Sequence, residues 1–296
     1  MSHRRAIFLL ALLGMLWAIT MPLTKIAVSS GHQPLGLVFW QLFISSAVLG
    51  AIILLRKLRL PMNAVALRYY LIIAALGTIF PNSFSYLAAA QLPAGILSIV
   101  IATVPMFAML IALGFGFERF SKIRSAGVLL GATAVVILVG PDASLPQPEK
   151  AVFVLVALIA PFCYGLEANY IAARSPTGFD PVCTIFGASI AGALVSAPLA
   201  WFSGSWTDLT QPWQAPEWAL FASSVIHAIT YCGYIWLVGV TSAVFASQIA
   251  YVVTLGGVFF SALLLSESYS AWVFLALALM IGGMLLVQPR NSASPA

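Results

Sequence analysis

Apolar residues run along this chain in blocks of about 18 to 23, each closed by a short polar break, which is the length a helix needs to cross a hydrocarbon layer of roughly 30 Å. Ten such blocks predict ten membrane helices over 6–28, 35–55, 69–90, 94–116, 124–140, 151–172, 182–202, 217–238, 242–264 and 271–288. The expected fold class is an all-α integral membrane protein embedded in the lipid bilayer. The opening "MSHRRAIFLLALLGML" has the charged-then-apolar order of a signal peptide. No small-x-small cleavage site ends it and nine more blocks follow, so it reads as a retained first helix.

The ten blocks divide into two sets of five. Five is odd, so the second set enters the membrane in the opposite sense to the first, giving an inverted repeat. Sliding the chain over itself by 149 residues keeps blocks 3 to 5 in register with 8 to 10, laying Glu118 on Glu267 and Ser121 on Ser270. The expected units are 1–145 and 146–296. Each glutamate stands in an E-x-x-S turn ahead of an apolar block, where the positive end of the next helix stabilises a carboxylate. Glu118 is therefore expected to cap helix 5 and Glu267 helix 10, both in structural roles.

Charge sets the orientation. Only 7% of residues are charged, against about 25% in soluble domains, and the mean hydropathy is +1.04. A net charge of +5 gathered in one patch would suggest nucleic acid, so its distribution decides. With the N-terminus in the cytoplasm, Arg4, Arg5, Arg56, Lys57, Arg59, Arg68, Arg119, Lys122, Arg124, Arg174 and Arg290 lie inside, and only Lys25 and Lys150 lie outside. That is the positive-inside pattern, with both termini cytoplasmic and no nucleic-acid partner implied. Cys163, Cys183 and Cys232 all fall within blocks without paired spacing and read as packing residues, so neither metal nor cofactor is expected. The long outer loop "SGSWTDLTQPWQAPE" carries Trp206 and Trp213, suited to an interfacial belt.

Polar side chains at membrane depth are costly, so those sharing a helical face outline a candidate cavity. His227, Tyr231 and Tyr234 stand at i, i+4 and i+7 on helix 8, with Ser223 one turn earlier. Their register equivalents on helix 3 are Thr78, Asn82 and Ser85, with Tyr86 beside them. For the hydroxyls and the amide the competing reading is interhelical hydrogen bonding. For His227, an imidazole that titrates near neutral pH, solute or proton handling stands level with a structural bond. Trp17, Thr20 and Thr24 share a face of helix 1, where Pro22 removes a backbone donor and predicts a kink. Lys25 reads either as an attractor for a carboxylate or as a snorkelling anchor. Glu167 in helix 6 reads as an ion-pair partner of Arg174, or as a coupling or ammonium-binding carboxylate. Gln248 and Tyr251 on helix 9, and Trp40 and Gln41 on helix 2, are further lining candidates. Trp17, Phe80, Tyr86, Tyr164, Tyr231 and Trp236 would give a pocket that accepts a planar apolar side chain. Gly127, Gly131, Gly282 and Gly283 are surfaces for close helix packing.

Each half also ends on a distinctive run. The first is "TVPMFAMLIALGFGFERFSKIRSAGVLLGATAVVILVGP", the second "VVTLGGVFFSALLLSESYSAWVFLALALMIGGMLLVQP", and helix 1 reads "LGMLWAITMPLTKIAV". In these runs the chain resembles the drug/metabolite transporter superfamily and, within it, the EamA-like ten-helix transporters. Its aromatic-rich helices are most similar to those of bacterial aromatic amino-acid exporters. Thr254 stands where the first half has Pro105, so helix 9 is expected to lack the kink of helix 4. The resemblance implies a secondary transporter of the inner membrane that exports small metabolites, foremost aromatic or large neutral amino acids, by alternating access. A nucleobase, a sugar derivative or a cationic drug are the alternative cargoes. No H-E-x-x-H, aspartate pair or Walker A motif occurs, which argues against an intramembrane enzyme and against direct ATP drive.

Overall fold

The structure is a computed structural model that describes residues 3–140, 147–176, 178–241, 245–246 and 248–287. Among the described residues the ordered elements are all helices. Eight are long and apolar enough to span a membrane: α1 (Arg4–Ala27), α2 (Pro34–Arg56), α3 (Ala64–Gln91), α4 (Ala94–Gly114), α5 (Lys122–Val139), α6 (Val152–Arg174), α7 (Pro181–Phe202) and α8 (Ala215–Leu237). Two shorter apolar helices follow, α9 (Ile249–Leu265) and α10 (Ala271–Val287). The third helix begins five residues before its expected start because the Asn63 side chain accepts from Ala66 N at 2.8 Å and caps it. In the ninth block, residues 242–244 and 247 lie outside the described residues, as do residue 288 and Arg290.

Packing follows the two-unit organisation. Helix α1 lies against α8 and α9, just as α6 lies against α3 and α4; α2 lies against α8 as α7 lies against α3. The remaining large contacts, α2 with α7, α4 with α9 and α5 with α10, join each helix to its own counterpart. Exchanging the halves thus leaves the pattern of helix neighbours largely unchanged. At the α5–α10 seam a Cβ on Gly127 would meet the Gly283 carbonyl, and one on Gly283 would meet the Gly127 carbonyl, so the small residues serve packing inside the fold.

Four helices are interrupted. Helix α1 breaks at Ile19 ahead of Pro22, α4 at Ala102 and Thr103 ahead of Pro105, and α6 at Leu158 ahead of Pro161. Each proline lacks the donor that would continue the ladder and crowds the preceding turn. Helix α3 instead widens into a π-helical turn over Ala75–Ile79, just before Pro81. Helix α9 is continuous from Ile249, in line with Thr254 standing where α4 has proline.

The two acidic turns correct the expected caps. Glu267 crosses to the other half, its Oε1 accepting from Ala94 N at 2.7 Å and its Oε2 from Gly95 N at 3.1 Å, so it caps α4 rather than α10. The first amides of α4 lack intrahelical partners, and Gly95 has no side chain to block the approach: a Cβ there would collide with the Tyr269 hydroxyl. That hydroxyl donates to Glu267 Oε2 at 2.7 Å. Burial and the neighbouring carboxylate push the Tyr269 phenol above its ordinary range, keeping it a donor at neutral pH. Glu118 pairs with Arg124 at 2.8 Å rather than with the amides of α5, and Arg124 Nε reaches Val287 O at 3.0 Å. Residues 243 and 244, the register equivalents of Ala94 and Gly95, lie outside the described residues.

Candidate functional site

A cavity opens where both halves meet, bordered by Gln41 of α2, Thr78 of α3, Glu167 of α6, and His227 and Tyr231 of α8, with Ser45 and Ser189 beside them. Its free space is small, enough for roughly a water molecule or two. Thr78 belongs to the π-helical turn of α3, a kind of distortion often found at functional sites. Gly77 in the same turn lies directly against Glu167, where a Cβ would collide with the carboxylate.

Trp17 does not border the cavity itself but packs on the α8 side chains that do. Its indole lies 5.7 Å from the His227 ring and 6.0 Å from those of Tyr231 and Tyr234, centroid to centroid, so it meets the whole helix-8 stripe. The break at Ile19 follows immediately, and Thr20 Oγ1 donates to Trp17 O at 2.6 Å, holding the backbone on which the indole is mounted. Pro22 is buried beside it.

Glu167 is 6% exposed. The described ion pairs are His32–Glu217, Arg56–Asp180 and Glu118–Arg124, so the expected pair with Arg174 does not form. The reason lies in helix geometry: Arg174 sits nearly two turns further on, exposed at the end of α6, while Glu167 turns inward beneath Gly77. Its Oε1 accepts from the Tyr231 hydroxyl at 3.3 Å.

A buried hydrogen-bond chain adjoins the cavity. The Tyr164 hydroxyl donates to Asn82 Oδ1 at 2.7 Å, Asn82 Nδ2 to Gln41 Oε1 at 2.8 Å, and the Tyr86 hydroxyl to the same oxygen at 3.1 Å. Five helices, α2, α3, α6, α7 and α8, thus present polar groups to one centre. Gln41 was only a secondary candidate from spacing, and Ser45, one turn from it, and Ser189, within the small-residue run of α7, were missed altogether. The signal for both serines was a hydroxyl at membrane depth, which is also what ordinary helix packing supplies.

Other expected site residues lie elsewhere. Phe80 is 54% exposed on the outer surface of α3, because two residues from Thr78 and from Asn82 it falls on the opposite side of the helix. Gln248 is exposed at the start of α9, and Tyr251 packs on the core outside the cavity lining, since α9 presents its inner face to α1 and α4. Thr24 is half-buried and does not border the cavity. Lys25 neither snorkels nor stands free: its Nζ donates to Ala89 O at 2.6 Å, joining the last carbonyls of α3. It borders a second recess with Lys150 and Glu267 on that face. Trp40 donates to Thr207 O at 2.8 Å and packs on Trp206, forming an aromatic cluster at the same level.

No curated protein is similar to this chain. A solved structure described as "Crystal structure of protein" is 20% identical, with a TM-score of 0.62 over 97% of this chain and 98% of its own, a likeness that shows the fold alone. The EamA-like transporter family matches twice, over residues 4–140 and 152–288, once in each half. Members of that family are membrane transporters of small solutes. The chain, a multi-pass membrane protein, belongs to the EamA-like transporter family.

Proposed function

We propose that this protein is a secondary transporter that exports small organic metabolites, foremost aromatic or large neutral amino acids, by alternating access through the central cavity. The observation that carries the reading is the wall of His227 and Tyr231, backed by the Trp17 indole, facing Glu167 and Gln41 at the junction of two like halves. Such a wall accepts a planar apolar side chain by burial and ring contact, while the polar groups orient its ionic end. Two inverted halves supply two related conformations, and the small cavity fits an intermediate closed toward both sides. In this reading the protein lies in the inner membrane with its N-terminus in the cytoplasm, and Lys25 and Lys150 line the outer recess, where they attract carboxylates.

A second cargo, an organic cation, is favoured by one specific observation: Glu167 has no basic partner among the described residues. The test is uptake of radiolabelled L-phenylalanine, L-tryptophan and L-leucine into liposomes holding the purified protein, with and without a pH gradient. Saturable uptake of the aromatic pair, inhibited by unlabelled amino acid, supports the reading, and the gradient dependence reports proton coupling. Inhibition by a lipophilic cation instead supports the second cargo. No uptake by folded protein sinks the amino-acid reading.

A further inference from the structure

The hydrogen-bond chain beside the cavity has a direction, and the direction leaves one group unused. Gln41 Oε1 accepts from both Asn82 Nδ2 and the Tyr86 hydroxyl, while Asn82 Oδ1 accepts from the Tyr164 hydroxyl. Run this way, both phenol hydrogens have acceptors. With both amides flipped, the amide nitrogens would become the donors and each buried phenol hydrogen would lose its acceptor, so the observed sense is the one that satisfies the chain. Gln41 is 7% exposed and its oxygen is filled, so its Nε2 hydrogens are the spare donors, and Gln41 borders the cavity. Among the described residues no acceptor meets them.

Across the cavity Glu167 has the opposite character. It is 6% exposed, forms no ion pair among the described residues, and accepts one long bond from Tyr231, which leaves most of a carboxylate's acceptor capacity unfilled. Both groups border the cavity with hydrogen-bonding capacity to spare, and a ligand that supplies both partners uses it. We propose that Gln41 and Glu167 are the two poles of a zwitterion site, the Gln41 amide donating to a solute carboxylate and Glu167 accepting its ammonium group. This deepens the proposed function and rests on the central cavity being the transport site. Asn82, Tyr86 and Tyr164 are positioning residues, since they fix which end of the Gln41 amide faces the solute. A site of this kind rejects an analogue lacking either charge, because the unmatched pole stays desolvated and unpaired.

Three probes separate the poles: L-phenylalanine, phenylethylamine, which lacks the carboxylate, and 3-phenylpropionate, which lacks the ammonium. Uptake into liposomes should favour L-phenylalanine over each analogue by roughly ten- to a hundred-fold in kcat/KM. Gln41→Glu keeps an oxygen for Asn82 and Tyr86 while replacing the donor, so it should abolish the preference over phenylethylamine and keep the preference over 3-phenylpropionate. Glu167→Gln should do the reverse. Gln41→Met provides a second, uncharged loss of the donor, and elution as a single folded species in detergent is the control for each variant. L-phenylalanine uptake with both preferences unchanged in the variants overturns the zwitterion site alone. Wild-type protein that takes up neither the three probes nor L-leucine overturns the transport reading as well.

Discussion

Removing the Glu267 carboxylate should unfasten the turn between α9 and α10 from the start of α4. Three donors converge on it: Ala94 N at 2.7 Å, Gly95 N at 3.1 Å and the Tyr269 hydroxyl at 2.7 Å. A hydrogen bond to a charged group contributes about 1.5–3 kcal/mol, and a carboxylate at a helix N-terminus adds about 0.3–1 kcal/mol. Interhelical bonds in membrane proteins fall toward about 0.6 kcal/mol each, because the unfolded chain finds other partners. Taken together, Glu267→Ala should cost about 2–4 kcal/mol, and Glu267→Gln, which keeps one oxygen, about 1–2 kcal/mol. Tyr269→Phe should cost about 1 kcal/mol. Its effect should be smaller in the Glu267→Ala background, because the two residues share a bond. Thermal and denaturant unfolding of the purified protein in detergent measures all four variants. Glu267→Ala within about 0.5 kcal/mol of wild type, the range of an inconsequential surface change, would refute the cap, as would strict additivity with Tyr269→Phe.

Four further outcomes follow from the geometry. Gly77→Ala should displace the flexible end of Glu167 instead of the backbone, lowering uptake several-fold while stability changes by less than about 1 kcal/mol, as read by paired uptake and melting measurements. Gly283→Val meets the Gly127 carbonyl across the α5–α10 seam and should destabilise by about 1–3 kcal/mol in detergent unfolding. Trp17→Ala removes the indole that packs behind His227, Tyr231 and Tyr234 and should raise KM for L-phenylalanine about ten-fold or more at normal expression. Phe80→Ala, on the outer surface, should leave uptake and KM unchanged.

Hydropathy made the eight spans and two shorter apolar helices of the described residues legible because membrane depth imposes a length on an apolar block, and the register of the two halves made the repeat legible with them. That His227 and Tyr231 share a face was readable from spacing alone, since one face of a helix is fixed by its 3.6-residue turn, while Tyr234 packs on Trp17 outside the cavity lining. Thr78 borders the cavity while Phe80, two residues on and so on the opposite side of the helix, faces outward. What spacing does not carry is reach. Glu267 was assigned to its own helix, and Lys25 either to a solute carboxylate or to the nearest membrane surface. Both in fact reach across to other helices, Glu267 to Ala94 and Lys25 to Ala89, and contacts between distant segments leave no local pattern in the chain. Gln41 gained its importance in the same way, from two partners on α3, Asn82 and Tyr86, and through Asn82 from Tyr164 on α6.

The most direct test of transport through the central cavity is L-phenylalanine uptake by wild type and by Thr78→Trp in matched liposomes. The indole would fill the space between Thr78, Glu167 and His227. Saturable uptake by wild type and none by a folded Thr78→Trp variant is the expected result. Equal uptake by the two would contradict a solute path through this cavity.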